Sequence, residues 1–228
     1  MALHTAGVID VHAHVILAET FGAAGELGPE MGGQTGDAPW FRVGDYRLDG
    51  VRYQGSAFMD TDLRLQRMVA AGIDFQVISP NPLTFLHFID PKVAIRFCQI
   101  HNDALAKVCG ANAAHLAGLA ALPMQNIPAA IAELERAVAD LGLLGGYIGT
   151  DMPLPLDAAA MDSFYATCVR LNVPLFIHPS PAGIDGPKGD ANLQDYDLDV
   201  VIGFAAQEAL AVARLIYGGV LDRHPSLD

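Results

Sequence analysis

The chain is short of positive charge, of cysteine and of long apolar runs, and each shortage narrows what it can be. Its 13 Lys and Arg stand against 26 Asp and Glu, a formal net charge of −13, with no basic run. That field repels a phosphate backbone, so nucleic acid is not an expected partner. A small anionic substrate stays open, because a metal and the arginines lining a pocket set its local field more than the global sum does. Cys98, Cys109 and Cys168 are odd in number and form no CxxC pair. Buried reduced thiols in a reducing compartment fit them better than a disulfide framework or a thiolate metal site. No uninterrupted apolar run reaches the roughly 18 residues that crossing a bilayer requires. The start MALHTAG lacks the basic and apolar regions of a secretory signal. A cytoplasmic globular protein with no membrane partner is the expectation. Also absent are the GxGxxG fingerprint, the P-loop and the GxSxG elbow, and no cysteine sits in a Cys/His motif.

What is present is an alternation of strand and helix signals over 228 residues, a length that suits a single domain over residues 1–228. Strands are expected to start near residues 8, 74, 116, 145 and 173. Helices are expected after Asp60 or Thr61 with Gly72 at the end, over 92–109 closed by Gly110, from Pro128 in a first turn, over 157–171, and over 198–219. In the last helix Val201, Phe204, Ala205, Val212, Leu215 and Ile216 recur near helical spacing. Residues 19–59 are Gly-rich and poorly periodic, and read as a long loop or small insertion holding Trp40, the only tryptophan.

Strands and helices alternating at intervals of about 30 residues imply parallel βαβ units. An open doubly wound sheet and a (β/α)8 barrel compete for them. Without GxGxxG after the first strand, and with polar residues gathered at strand C-terminal ends, the α/β barrel of TIM type is the better fit. Only about the first five of its eight units are accounted for.

"VIDVHAHV", residues 8–15, ends the first strand with His12 and His14. An HxH pair alone is a weak signal, and a structural pair is the alternative to a metal site. Residues i and i+2 of a strand share a face, and the first strand of a barrel turns that face inward, where two imidazoles need partners or a metal. His178 ends the apolar strand "VPLFIHP" at the same predicted mouth. Three neutral nitrogen donors converging there suit Zn²⁺ or another borderline divalent ion, with water as a further ligand. The other histidines read as bland: His4 in a tail, His87 in a loop, His101 and His115 near helix ends, His224 on a polar turn. Asp10 is expected to face away from the HxH side of a regular strand, in a hydrogen-bonding role.

With HxH on the first strand, HP on the fifth and a long insertion after the first, the chain resembles the amidohydrolase superfamily. More narrowly, it resembles the branch that contains 2-amino-3-carboxymuconate-6-semialdehyde decarboxylase. The matching segments are "IDVHAH" (9–14), "APW" (38–40), the Arg52 region leading into "RMVAAGIDFQVIS" (67–79), "FCQIHNDALA" (97–106), "VPLFIHP" (173–179) and "ARLIYGGVLDRHPSLD" (213–228). The resemblance implies that His12, His14 and His178 are metal ligands, of zinc first, with manganese or another divalent ion as alternatives. It implies that Arg52 holds a substrate carboxylate, against the reading of a solvated loop charge, and leaves Trp40 between pocket residue and loop anchor.

The family's catalytic histidine, in an HGGG-like segment, and its metal-binding aspartate, in an SDxP-like segment, would both follow Asp228, so no catalytic residue is assigned; His224 belongs to the turn before them. Ser180 stands where the decarboxylase has an aromatic, which points to a different substrate. The implied activity is metal-dependent decarboxylation of a small unsaturated or aromatic carboxylic acid by a homo-oligomer, a dimer when full length. Hydrolysis or hydration is the alternative, and an inactive chain serving as a binding or assembly module is a third.

Overall fold

A computed structural model describes residues 7–36 and 38–228; His4 lies outside the described residues. Five parallel positions are filled in the order β1 (Ile9–Val15), β5 (Phe75–Pro80), β6 and β7 (Leu116–Gly118 and Ala120–Ala121), β8 (Gly146–Gly149) and β9 (Leu175–His178). The segment read as one strand from residue 116 is thus two. Gly118 closes the first group of three strands, Ala120 opens the second, and Leu119 bridges them by donating its N–H to Ile78 (3.0 Å). At the outer side of β9, the Leu175 N–H donates to the Asp228 carbonyl (2.9 Å).

Strand alternation sorts the side chains into two layers. Ile78, Leu116, Ala120 and Ile148 pack outward against the helices, in one cluster with Leu105, Leu134 and Phe164. Phe75, Val77, Ala117, Leu119 and Tyr147 form a separate inner cluster. The mouth of the strands therefore stands on a packed floor.

The connecting helices follow their sequence signals closely. α1 (Thr61–Ala71) is capped by the Asp60 carboxylate on the Leu63 N–H (2.9 Å) and ends at Gly72, whose φ of +71° a side chain would resist. α2 (Pro91–Ala111) is capped by Asp90 and runs through Gly110, which does not end it. α3 (Ile127–Ala139) begins with Asn126 as cap and Pro128 in the first turn. α4 (Asp162–Leu171) is shorter than the expected 157–171, because a 3-10 turn, Ala159–Met161, precedes it. Asn102 of α2, fully buried, clamps β7: its amide donates to the Ala121 carbonyl (2.9 Å) and to Glu133 (2.7 Å), and its oxygen accepts the Ala121 N–H (2.8 Å).

Two regions differ from the sequence reading. The segment read as a long loop contains a three-stranded antiparallel sheet of β2 (Glu30–Gly32), β3 (Trp40–Val43) and β4 (Tyr46–Asp49) over a core of Phe41, Val43 and Tyr53. A two-residue hairpin, Gly44–Asp45, joins β3 to β4, with the glycine left-handed at φ +54°.

The last long helix is α5 (Phe204–Tyr217), entered by a π-helical turn at Asp199–Gly203 and followed by the short α6 (Val220–Arg223). Val201 in the π-helical turn and Val212 and Ile216 on α5 are exposed, and only Ala211 of α5 is buried. The stretch Asp199–Tyr217 is long and apolar enough, by length and composition, to cross a membrane. Glu208 and Arg214 interrupt it, so it forms no unbroken apolar run in the sequence.

Candidate metal centre

Regular alternation would put Asp10, His12 and His14 on one face of β1. The pairing is not regular: Asp10 lies opposite Gln76 and Ala13 opposite Ile78, so Val11 and His12 together occupy the place across from Val77. This bulge turns Asp10 outward while His12 and His14 face in. Asp10 does have the hydrogen-bonding role expected of it, but the extra residue, not regular alternation, sends it to the far side. Its carboxylate accepts the His12 N–H (3.0 Å) and the Gln76 amide (2.7 Å). Arg64 of α1, buried, donates to the Gln76 side-chain oxygen (2.5 Å) and to the His14 carbonyl (2.6 Å). The backbone carrying the histidines is thereby tied down from behind.

His178, at the end of β9, pairs through its backbone with Gly149 of β8 and faces the same interior. The three rings stand edge to face around one point, with centroids 5.1 Å apart for His12 and His14 and 5.0 Å for each with His178. One ligand nitrogen from each lies within 4.8 Å of the others. His12 Nε2 and His178 Nε2 are 3.0 Å apart.

Hydrogen bonds on the far sides of two rings determine which nitrogen is free. His178 Nδ1 is 2.6 Å from the Pro179 carbonyl, which can only accept, so Nδ1 carries the proton and Nε2 keeps its lone pair. Ser79 Oγ donates to the Ala13 carbonyl (3.1 Å); its proton spent, it accepts from His14 Nδ1 (2.9 Å), again leaving Nε2 free. Burial, then the neighbouring His178 and His12, pushes the His14 pKa down to about 4; burial also lowers that of His178. At neutral pH His14 and His178 are uncharged nitrogen donors, the form in which imidazole binds a metal. With His12 beside them, three imidazoles converging at the mouth fit a divalent ion that keeps a position for water or substrate.

The other singled-out residues sit apart from this cluster. Arg52 is exposed and donates to the Gly36 carbonyl within the insertion, with no hydrogen bond to the three histidines. Trp40 packs over Gly32 and under the Arg47 guanidinium, 4.5 Å from its ring centre, in the anchor role. His224 pairs with Asp162 (3.2 Å) far down the chain's last turn. His101 is not near a helix end: it is buried in the middle of α2 with neither ring nitrogen partnered. His87, read as a loop residue, is buried and accepts the Gly149 N–H (3.1 Å). Cys98, Cys109 and Cys168 are free and buried, and burial raises all three thiols. Ser79, Gln76, Arg64 and Tyr147 escaped the sequence reading; only strand parity against His14 and the bulge reveals them.

The amidohydrolase family profile matches residues 9–228. A 2-amino-3-carboxymuconate-6-semialdehyde decarboxylase of Dictyostelium discoideum is 33% identical over 169 residues, covering 74% of this chain and 46% of its own. A gamma-resorcylate decarboxylase of Rhizobium radiobacter is 32% identical over 200 residues, covering 84% of this chain and 60% of its own. A crystal structure of 5-carboxyvanillate decarboxylase from Novosphingobium aromaticivorans, complexed with manganese and 4-hydroxy-3-methoxy-5-nitrobenzoic acid, is 25% identical with a TM-score of 0.68, over 75% of this chain and 49% of that one. The chain thus spans about half the length of the relatives it matches. With a profile match over nearly all of its residues and three inward histidines on its first and fifth parallel positions, the chain belongs to the amidohydrolase family.

Proposed function

We propose that this chain is the metal-binding part of a carboxy-lyase that removes carbon dioxide from a small aromatic or unsaturated carboxylic acid. The observation that carries the reading is the convergence of the His12, His14 and His178 nitrogens within 4.8 Å, at the C-terminal ends of parallel strands. Decarboxylase relatives of three substrate types support it. In this reading the five parallel positions are the first five units of an eight-unit barrel, and the protein works as a homo-oligomer in the cytoplasm.

A bound divalent ion supplies a Lewis acid for a substrate oxygen or a lowered pKa for a bound water. Zinc and manganese both suit the donor set, and availability decides between them. The chain's own contribution is to hold His14 and His178 neutral with Nε2 turned inward, through Ser79 and the Pro179 carbonyl, beside the His12 ring. Arg52 has the role of carboxylate anchor in this reading: its guanidinium is exposed, with one bond to Gly36.

Carbon dioxide release from a panel of hydroxybenzoates and carboxymuconate-like acids, by protein loaded with Zn²⁺ or Mn²⁺, tests the proposal. Release that disappears in His178→Ala and weakens in Arg52→Ala is the expected result. Incorporation of water into the product without carbon dioxide release overturns it in favour of a hydratase or hydrolase.

A further inference from the structure

The hydrogen bonds that begin at the His178 ring do not end at Pro179. Gln207, near the start of α5, reaches the chain two residues beyond the histidine. Its side-chain oxygen accepts the Ser180 N–H (3.3 Å) and the Thr150 hydroxyl (2.7 Å), and its amide donates to the Ser180 carbonyl (3.1 Å). A backbone N–H can only donate and a carbonyl only accept, so these partners determine which way the Gln207 amide points. Thr150 in turn donates its backbone N–H to the His178 carbonyl (3.1 Å). One helical side chain thus joins the ends of β8 and β9.

The Ser180 N–H belongs to the same peptide unit as the Pro179 carbonyl, which accepts the proton of His178 Nδ1 (2.6 Å). That peptide is trans, so its N–H and carbonyl lie in one plane and point in opposite directions; fixing one aims the other. A peptide that donates at one end also accepts more strongly at the other. We propose that Gln207 is a positioning residue for His178, holding the Pro179–Ser180 peptide so that its carbonyl keeps the proton on Nδ1 and leaves Nε2 turned to the ion.

The inference rests on the metal-site reading above. The plainer role for Gln207 is to dock α5, a helix that buries only Ala211, on the strands. Docking alone would affect stability and leave the proton of His178 where it is.

Two variants separate these roles. Gln207→Met keeps the length and helix propensity of the side chain and removes both polar ends, whereas Ala211→Gly loosens the same helix about one turn further on. Zn²⁺ and Mn²⁺ affinity, by competition with a chelating fluorophore, and melting of the metal-free proteins are measured for both and for wild type. The His178 tautomer is read from ring ¹⁵N shifts in metal-free His12→Ala protein with and without Gln207→Met, because the His12 contact at 3.0 Å otherwise biases the ring. Outer partners of metal ligands are worth about 10–100-fold in affinity. Gln207 acts through one further peptide, so Gln207→Met is expected to bind about tenfold more weakly, with the His178 proton shifted from Nδ1 toward Nε2. Ala211→Gly should melt lower and bind as wild type does. Wild-type affinity in Gln207→Met, an unchanged tautomer, or an equal loss of affinity in Ala211→Gly each overturns the inference and leaves Gln207 a docking residue. Failure of the wild type itself to take up either ion overturns the metal-site reading and this inference together.

Discussion

His12 Nε2 and His178 Nε2 face each other at 3.0 Å across the mouth of the parallel strands. The Pro179 carbonyl holds the proton of His178 on the other nitrogen, so His12 is the donor of that contact and must give up its proton at Nε2 when both rings turn their lone pairs to one ion. Each ring then depends on the other for the shared position. His12→Ala and His178→Ala are each expected to lower Zn²⁺ affinity by at least about 100-fold, since even outer partners of metal ligands are worth about 10–100-fold. Metal content after dialysis against a weak chelator reads this directly, and equal content in wild type and either variant would remove both residues from the site.

Acid should weaken the fold through two other histidines. Burial pushes His87 down to about 3 and His101 down to about 4, whereas both titrate near 6.5 when unfolded. Below pH 6.5 the unfolded chain therefore binds protons that the folded one refuses, and stability falls as pH drops toward 4 and then 3. At pH 5 the loss is on the order of 2 kcal/mol for each group relative to neutral pH. Urea unfolding at pH 7.5 and 5.0 measures it. His101→Leu should lose less between those two values than wild type does, and equal losses would exclude the buried ring as a source.

Asn102 substitutes for a missing strand partner. Its amide meets both the N–H and the carbonyl of Ala121, and also Glu133, whose carboxylate is held by Arg136. Asn102→Ala strips three hydrogen bonds inside the core, and with each buried unsatisfied group costing about 1–3 kcal/mol a loss on the order of 3 kcal/mol is expected in chemical denaturation. Asn102→Asp should be nearly as costly, because it places a second carboxylate against Glu133 in a dry site. A loss below about 1 kcal/mol for the alanine variant would show that water replaces the amide.

Gly145 sets the spacing of β8 from β9. A Cβ there would lie 2.2 Å from the Pro174 carbonyl oxygen, which also accepts the Gly146 N–H at 3.1 Å. Backbone cannot retreat as a flexible side chain can, so Gly145→Ala should cost about 1–3 kcal/mol or more. It should also weaken metal binding by displacing His178. Thermal melting and metal titration of the same variant give both numbers.

The convergence of His12, His14 and His178 was legible because strand alternation and strand ends are local features, readable within a few residues of His12 or His178. Asp10 was not legible in the same way: its outward turn depends on how β1 registers against β5, sixty-odd residues away. Arg64 sits in a helix whose pattern gives a solvent face to arginine, and only the Gln76 and His14 oxygens behind it explain its burial. The hairpin of the insertion did leave a mark, Gly44–Asp45 between Arg42–Val43 and Tyr46–Arg47, which its glycine-rich surroundings masked. Periodicity in α5 marked a helix with apolar positions but could not say whether anything covers them.

The bulge in β1 also governs how the strand tolerates changes in length. Losing one residue from a β-strand ordinarily inverts the side chains on one side of the break. Here Val11 and His12 share a single place opposite Val77, and Val11 is half exposed. Deleting Val11 would leave Asp10 facing out, His12 in, Ala13 out and His14 in, the simple alternation of an unbulged strand. A frame shift of one residue at this point conserves the inward placement of both histidines, whereas the same shift at Ala13, between them, would turn His12 away from His14.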